Sequence, residues 1–240
     1  MLNSPDHLSM SGLLFKSRNY YESYPVIISC ARSSSVRFPN KHIQVLNNGM
    51  TVIENLLDNV RKTSMLAVIA IPYEDFNSEL HDHLRILQAK YEFCIYFGSK
   101  SDVLGRMTAA ANALHKFCNI DPIIRVTADC PLASNSLIID MHEGWKICDT
   151  PILSNVFPSR TFAKGLDVEL ISYEFINYLN GLNLTKEERE HVTKYVYDKK
   201  SDLVTEFSNN GKYDGNKSTS LCVDNPKDIS IINRYLANRR

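Results

Sequence analysis

Short apolar runs alternate with segments of helical periodicity along the first half of the chain, and this alternation constrains the fold more than any other feature. The apolar runs predict buried strands, one beginning at Val26 and others at residues 66–71, 93–97 and 123–127. The segments between them predict helices at residues 50–62, 77–90 and 103–114. Strands and helices that alternate at this spacing favour a mainly parallel sheet with helices on both faces. The carboxyl ends of parallel strands meet at one edge of the sheet, where open α/β sheets bind ligands.

The second half of the chain is less regular but continues the α/β pattern. Its periodicity predicts helices at residues 134–148, 185–198 and 227–238. Its apolar runs predict strands at residues 152–154, 166–172 and 220–223, and an exposed loop is predicted over residues 209–218. Residues 1–24 are polar and poorly periodic, so we predict an N-terminal extension there and a single domain over residues 25–240.

The composition argues against several classes of partner. The 240 residues carry a formal net charge of +0, so any positive site has to be local and we expect no nucleic-acid partner. No apolar run approaches the ~20 residues of a membrane span, and residues 1–24 lack the apolar centre of a secretion signal. The six cysteines form no Cys-x-x-Cys pair, which is typical of reduced, buried thiols. We therefore expect a cytoplasmic protein without membrane association.

The loop that follows the first strand carries three cations, Arg32, Arg37 and Lys41. Bonds from arginine and lysine to phosphate oxygens are strong, so these cations could hold a triphosphate together with Ser33, Ser35 and the backbone amides. The loop is not a glycine-rich Walker sequence, and a solvated basic loop would show the same pattern. The residues by themselves leave both interpretations open.

Two predicted strands end at an aspartate that lies two residues before a proline: Asp129 and Asp224. Carboxylates at the ends of two strands of one sheet are credible ligands of Mg²⁺, a hard cation that prefers carboxylate, water and phosphate oxygens. Aspartate is also common as a turn residue or helix cap, so each residue has an ordinary structural explanation as well.

Two further segments have the composition of a binding site. Residues 98–106 form a loop that enters a helix, so their amides could meet a base or a ribose, or Asp102 could simply cap the helix. Residues 165–169 and 188–193 combine carboxylates with Arg189 and His191, yet the second run is equally typical of a salt-bridged helix surface. The pattern does not decide between these interpretations.

Taken in order, these segments resemble the motifs of the cytidylyltransferase family that includes the SpsF-type spore-coat polysaccharide proteins and is related to the CMP-Kdo and CMP-sialic acid synthetases. The opening motif of that family, A-R-x-x-S-x-R-x-P-x-K, is matched by Ala31, Arg32, Ser35, Arg37, Pro39 and Lys41. The later motifs are matched at residues 98–106, 129–132, 165–169, 189–193 and 223–228. The resemblance runs from about Val26 to the C-terminus.

The resemblance implies a glycosyltransferase-A-like, Rossmann-like nucleotidyltransferase fold that transfers CMP from CTP to a sugar, sugar acid or related anionic acceptor for surface glycan synthesis, with release of pyrophosphate. Catalytic roles are implied for Arg32, Lys41, Asp129 and Asp224, and the two aspartates would hold Mg²⁺. Nucleotide contacts are expected from Ala31, Arg32, Ser33, Ser35, Arg37, Lys41, Gly98, Asp102, Arg106 and Asp129. Acceptor contacts are expected from Asp167, Glu169, Arg189 and His191. The resemblance also implies a homodimer.

Three positions depart from the pattern of the family. Ser34 and Asn40 occupy positions often filled by glycine, and Lys164 precedes the Gly-Leu-Asp-Val-Glu run where an acidic or other polar residue is common. The cation at Lys164 would favour a more anionic acceptor.

Two alternatives to a cytidylyltransferase remain open from the residues: a glycosyltransferase of the same fold that uses a nucleotide-sugar, and a non-catalytic nucleotide-sugar-binding protein.

Overall fold

The protein is built around one mixed sheet. The computed structural model describes residues 22–213 and 218–238, and the sheet in this part of the chain has seven strands in the order β3-β2-β1-β4-β6-β5-β7. The strands are β1 (Tyr24–Cys30), β2 (Leu66–Pro72), β3 (Cys94–Gly98), β4 (Ile120–Val126), β5 (Ile152–Ser154), β6 (Val168–Ile171) and β7 (Val204–Glu206).

Helices connect and cover the strands. They are α1 (Val52–Arg61), α2 (Glu79–Leu87), α3 (Val103–His115), α4 (Asn135–Trp145), α5 (Tyr173–Gly181), α6 (Lys186–Glu190), α7 (Lys194–Lys199) and α8 (Pro226–Ala237). Side-chain caps fix several of their starts: Thr51 and Glu54 form a capping box at α1, and Ser134 caps α4. In the described part of the chain, no helix is long and apolar enough to span a membrane.

The order of the strands reverses at β1, and this reversal positions the site. β1 pairs in parallel with both β2 and β4, β2 pairs in parallel with β3, and β6 runs antiparallel to β4 and β5. The predicted fold class, a mainly parallel sheet with helices on both faces, is confirmed. The loops that leave β1 and β4 therefore lie side by side at the point where open α/β sheets bind ligands.

The core forms two apolar layers because successive strand residues point to opposite faces of the sheet. Ile27 of β1 belongs to the layer under α1, α2, α4 and α8, and its neighbour Ile28 belongs to the layer under α3 and α5. Both isoleucines are no more than 1% exposed. Burial on both faces explains why the central strands appear in the sequence as nearly continuous apolar runs.

Several predicted elements differ from the observed ones. The predicted helix over residues 185–198 is broken into α6 and α7, because Val192 turns into the core with a φ of 40° that a helix cannot accommodate. The predicted strand over 220–223 is reduced to an isolated bridge between Ser220 and Lys164, and β1 begins at Tyr24, inside the predicted extension. Helix α5 and strand β7 were not predicted. Residues 1–21 of the predicted extension and residues 214–217 of the predicted loop lie outside the described residues.

The segment that carries Asp224 packs against Gly165, and this contact generates the first prediction. Gly165 has a φ of 95°, and a Cβ there would lie 2.4 Å from the Leu221 carbonyl carbon and 2.6 Å from the Cys222 nitrogen. We expect Gly165→Ala to lower the free energy of unfolding by about 2 kcal/mol or more, because left-handed backbone and backbone overlap are both costly. Urea denaturation measures this change.

Gly181 provides the matched control, because it ends α5 and a Cβ there meets no atom within 4 Å. Gly181→Ala should leave the unfolding free energy unchanged or raise it slightly, since alanine favours helix. Equal effects of the two substitutions would contradict the packing described for Gly165.

Candidate active site

The loops at the carboxyl ends of β1 and β4 form the walls of a cleft of about 290 Å³. Residues of the first loop, including Arg32, Ser35, Arg37 and Lys41, line one wall. Asp129 and Asp224 line the floor, and Glu190 and His191 line the opposite wall. The cleft therefore brings together all four residues with predicted catalytic roles.

A buried carboxylate holds the loop after β1 in place through hydrogen bonds. Asp75 is 3% exposed and accepts hydrogen bonds from the Ser33 amide at 2.8 Å and from the Ser33 hydroxyl. Asn40 closes the loop in a left-handed conformation with a φ of 53°, and its side-chain amide donates to Glu79 at 2.8 Å. Asparagine tolerates this conformation, so its replacement of glycine is accommodated. The amide and hydroxyl of Ser33, a predicted nucleotide contact, donate to Asp75, whereas Ser35 lines the cleft.

Lys41 is the centre of the charge arrangement. It is 8% exposed, and its ammonium group donates to Asp129 and, at 3.4 Å, to Asp224 Oδ1. Burial works to lower the pKa of Lys41, but the two carboxylates, chiefly Asp129, raise it above its ordinary value. Burial works to raise the pKa of Asp129, and Lys41 holds it below its ordinary value. At neutral pH the lysine and both aspartates are therefore charged.

Asp224 is surrounded by cations. Its Oδ1 accepts from Arg37 at 3.2 Å as well as from Lys41, and its Oδ2 accepts from Lys164 at 3.0 Å. Burial alone would raise the pKa of Asp224, but Lys164 and Lys41 lower it below its ordinary value. Two of these cations come from the β1 loop, and the third comes from the segment before β6.

Arg32 reaches across the mouth of the cleft. Its guanidinium lies 3.4 Å from Glu190 Oε1, and both side chains are nearly half exposed. An exposed pair of this length is weak, because solvent screens it. Arg32 can therefore release Glu190 at little cost and bind an anionic ligand in the cleft.

A buried arginine borders the end of the cleft next to α3. Arg106 is 3% exposed and lines the cleft, where its Nη1 donates to the Ser99 carbonyl oxygen at 2.5 Å. Among the described residues, no carboxylate lies within ion-pair distance of Arg106, and its buried Nε has no hydrogen-bond partner. Gly98 makes room for this side chain, since a Cβ there would lie 2.6 Å from Arg106 Cγ. A buried guanidinium without a counter-ion suits an anionic or carbonyl-bearing ligand.

Asp102 and Arg189, predicted as a nucleotide contact and an acceptor contact, pair with each other. Asp102 caps α3 by accepting from the Gly105 amide at 2.8 Å, and its other oxygen accepts from Arg189 at 2.7 Å. Arg189 also donates to Asn180 Oδ1 at 2.7 Å. These bonds join α3, α5 and α6, and in the described part of the chain neither residue is among those that line the cleft.

A second cavity of about 440 Å³ adjoins the cleft, and Arg125 and His191 line both. Of the predicted acceptor residues, His191 thus stands at the boundary of the two spaces. Asp167 lines the second cavity and is held by Arg160, which donates to its two oxygens at 2.5 and 3.1 Å. The two cavities therefore lie next to each other, and the first contains the Lys41 cluster.

Glu169 lies between the two cavities but its oxygens are already used. One oxygen forms an ion pair with Arg125, and the other accepts from Thr193 at 2.8 Å and from Tyr197. Glu169 is 2% exposed. Burial would raise its pKa, and Arg125 outweighs this and lowers it. Glu169 therefore orients Arg125, and it also lines the second cavity, so its predicted contact with an acceptor stays a prediction.

Arg125 is the site residue that the sequence patterns did not single out. It occupies the sixth position of β4, an otherwise mostly apolar strand, and its side chain is 21% exposed. The sequence could have pointed to Arg125, because a cation inside a mostly apolar strand requires a partner of opposite charge. The partner, Glu169, lies opposite it in register on β6.

All six cysteines lie among the described residues and are free thiols, in agreement with the expectation of reduced cysteines. The fold nevertheless brings Cys130 and Cys222 next to Asp129. The two Sγ atoms and a carboxylate oxygen of Asp129 lie within 4.8 Å of one another. The neighbouring Cys222 thiol and burial raise the pKa of Cys130, so this thiol stays protonated at neutral pH.

Comparison with known proteins identifies the family. The family model described as cytidylyltransferase matches residues 26–147, just over half of the 240-residue chain. The chain belongs to the cytidylyltransferase family. The family and the enzyme class expected from the motifs, a CTP-dependent nucleotidyltransferase, are thereby confirmed. The matched region contains Arg32, Lys41 and Asp129, and Asp224 lies outside it.

Solved structures of cytidylyltransferases share the fold. A cytidylyltransferase from Leptospira borgpetersenii superposes with a TM-score of 0.78 at 23% identity, covering 90% of this chain and 88% of that one. CMP:2-keto-3-deoxy-manno-octonic acid synthetase, solved in complex with CTP, superposes with a TM-score of 0.66 at 13% identity, covering 91% and 100%. The uncharacterized protein MJ1063 of Methanocaldococcus jannaschii is 26% identical over 206 residues, covering 84% of this chain and 78% of that protein.

The buried pair of Arg125 and Glu169 generates the second prediction for this cytidylyltransferase. Glu169→Gln leaves Arg125, whose side chain is 21% exposed, without its counter-ion, so we expect the free energy of unfolding to fall by about 1.5–3 kcal/mol. Denaturant titration measures the loss. Glu143→Gln is the control, because Glu143 pairs with Lys146 on the exposed surface of α4, and it should leave stability unchanged. A Glu169→Gln protein as stable as the wild type would contradict a buried ion pair.

Proposed function

We propose that the protein transfers CMP from CTP to a sugar, sugar acid or related anionic acceptor and releases pyrophosphate, as a step in surface glycan synthesis. The family membership supports the CTP-dependent nucleotidyl transfer. It favours this reaction over the two alternatives left open by the residues, a glycosyltransferase and a non-catalytic binding protein. The sugar or anionic acceptor goes beyond what the family membership supports.

The observation that carries the proposal is the convergence of Arg32, Arg37 and Lys41 with Asp129 and Asp224 in one cleft. A nucleoside triphosphate needs several fixed cations around its phosphates. The cations in this cleft lie at a strand reversal, on a loop that Asp75 anchors. The similarity to a synthetase solved with CTP supports the choice of nucleotide.

Asp129 and Asp224 have the chemistry to hold Mg²⁺. Both present oxygen atoms to the same lysine, and both have a pKa below the ordinary value, so they are ionised at neutral pH. Carboxylate oxygens next to phosphate oxygens are the donor set that Mg²⁺ prefers. When bound, the ion would neutralise charge on the phosphates. In this proposal Lys41 leaves the carboxylates and turns to the triphosphate.

The residues of the cleft divide the work of the reaction. An acceptor oxygen attacks the α-phosphorus of CTP in line with the departing pyrophosphate, so catalysis consists of positioning and charge neutralisation. Arg32 and Lys41 would hold the triphosphate and stabilise the leaving pyrophosphate, with Arg37 as a third cation. Arg106 would contact the nucleoside from the other end of the cleft.

The second cavity is the proposed acceptor compartment. It shares Arg125 and His191 with the cleft, so an acceptor in it would lie next to a triphosphate in the cleft. The Arg125 guanidinium at this boundary is paired with Glu169, and further carboxylates line the cavity, so the cavity suits the hydroxyl groups of a sugar acceptor. His191 is the candidate to accept the proton from the attacking hydroxyl, and an unchanged pH–rate profile in His191→Gln would remove it from this role.

The function is tested by incubating the protein with CTP, Mg²⁺ and a panel of sugars, sugar acids and phosphorylated sugars. We expect pyrophosphate release that depends on one class of acceptor, with a CMP-linked product detected by mass. Asp129→Asn and Lys41→Ala should each lower turnover by about 10²–10³, because each removes one electrostatic contact of the reacting phosphates.

Asp58→Asn and Lys62→Ala provide the matched controls, since this pair lies on the surface of α1, outside the cleft. Both should keep wild-type turnover. Near-wild-type pyrophosphate release by Asp129→Asn and Lys41→Ala would refute the proposed site. Release of nucleotide from a nucleotide-sugar in place of pyrophosphate from CTP would identify a glycosyltransferase.

A further inference from the structure

Lys164 makes a contact that the nucleotidyl transfer described above does not use. Its ammonium group lies 3.0 Å from Asp224 Oδ2, the oxygen that neither Lys41 nor Arg37 contacts. Asp224 raises the pKa of Lys164, so the side chain is positively charged at neutral pH. The side chain of Lys164 is about half exposed, and that of Asp224 is 17% exposed.

The backbone holds Lys164 in this position. Its amide donates to the Thr219 carbonyl oxygen at 3.0 Å, and its own carbonyl oxygen accepts from the Leu221 amide at 2.6 Å. The next residue, Gly165, lies so close to the Leu221 and Cys222 backbone that a Cβ would overlap it. Backbone hydrogen bonds thus join the segment of Lys164 to residues 219–221, just before Asp224. They fix the position of the Lys164 backbone relative to the Asp224 carboxylate.

Lys164 therefore differs from the other two cations at Asp224. Lys41 and Arg37 belong to the loop after β1, and in the proposed reaction both turn towards the triphosphate when the nucleotide binds. Lys164 belongs to a separate segment that is paired with residues 219–221. These backbone bonds do not involve the loop after β1, so a movement of Lys41 and Arg37 would leave the Lys164 backbone in place.

We propose that Lys164 is a fixed cation that occupies one oxygen of Asp224 and keeps the divalent ion from binding the Asp129–Asp224 pair until the nucleotide arrives. This inference rests on the proposed function of the two aspartates. In the nucleotide-free protein, three cations compensate two carboxylates, so a divalent ion is repelled and finds Oδ2 already used. The triphosphate draws Lys41 and Arg37 away and adds negative charge, and the ion then enters with the nucleotide.

The expected size of the effect follows from the exposure of the pair. A lysine charge a few ångströms from a divalent ion opposes its binding, and the half-exposed position of Lys164 screens much of this repulsion. We expect removal of the charge to tighten divalent-ion binding to the nucleotide-free protein about three- to tenfold.

The experiment measures Mn²⁺ binding to the nucleotide-free protein from the electron paramagnetic resonance signal of free Mn²⁺. Lys164→Met should bind Mn²⁺ about three- to tenfold more tightly than the wild type, whereas Lys164→Arg, which keeps the charge, should bind as the wild type does. Lys62→Met is the control, because Lys62 pairs with Asp58 on the surface of α1. It should leave Mn²⁺ binding unchanged.

Two results would overturn the proposal: equal Mn²⁺ affinity in the wild type and Lys164→Met, or tighter binding in Lys164→Arg to the same degree as in Lys164→Met. Circular dichroism checks that the variants are folded, and a misfolded Lys164→Met is replaced by Lys164→Gln. Pyrophosphate release by the wild type is measured separately. Its loss would refute the proposed function, whereas normal release with an unchanged Mn²⁺ affinity would refute only the role of Lys164.

Discussion

The contact of Lys41 with Asp129 and Asp224 is the interaction on which the rest of the site depends. It joins the loop after β1, the end of β4 and the start of α8, which lie far apart in the sequence. Two carboxylates at one place repel each other, and a buried ammonium group between them offsets that repulsion. In the proposed function, these are the charges that a triphosphate and a divalent ion would rearrange.

The sheet makes this contact possible. Because the strand order reverses at β1, the loops after β1 and β4 leave the same edge on opposite sides of the reversal and enclose a cleft. The antiparallel strand β6 then brings Glu169 opposite Arg125. The second half of the chain therefore contributes to the boundary between the cleft and the second cavity. The family model ends at residue 147, before β6, so the second cavity is lined largely by the part of the chain that the model does not match.

Periodicity and chemistry predicted much of the fold and of the site. The predicted strand over residues 152–154 has the observed bounds of β5. The residues left Asp129 and Asp224 open as a metal-ligand pair or as turn and cap residues, and both contact Lys41 although the strand predicted before Asp224 is absent from the described residues. Helix α5 and strand β7 were not predicted from the sequence. Strand β7 has only three half-buried residues, and α5 has a mixed aromatic and polar composition. The partners of Arg189 and Glu169 could not be predicted, since they depend on which surfaces pack together across 87 and 44 residues of sequence.

A crystal structure with a non-hydrolysable CTP analogue and Mg²⁺ tests the central claim most directly. We expect the triphosphate in the cleft, with the Lys41 ammonium group moved from Asp129 to the phosphate oxygens and both aspartates facing the ion. A triphosphate bound elsewhere, or bound in the cleft with Lys41 still on Asp129, would contradict the account.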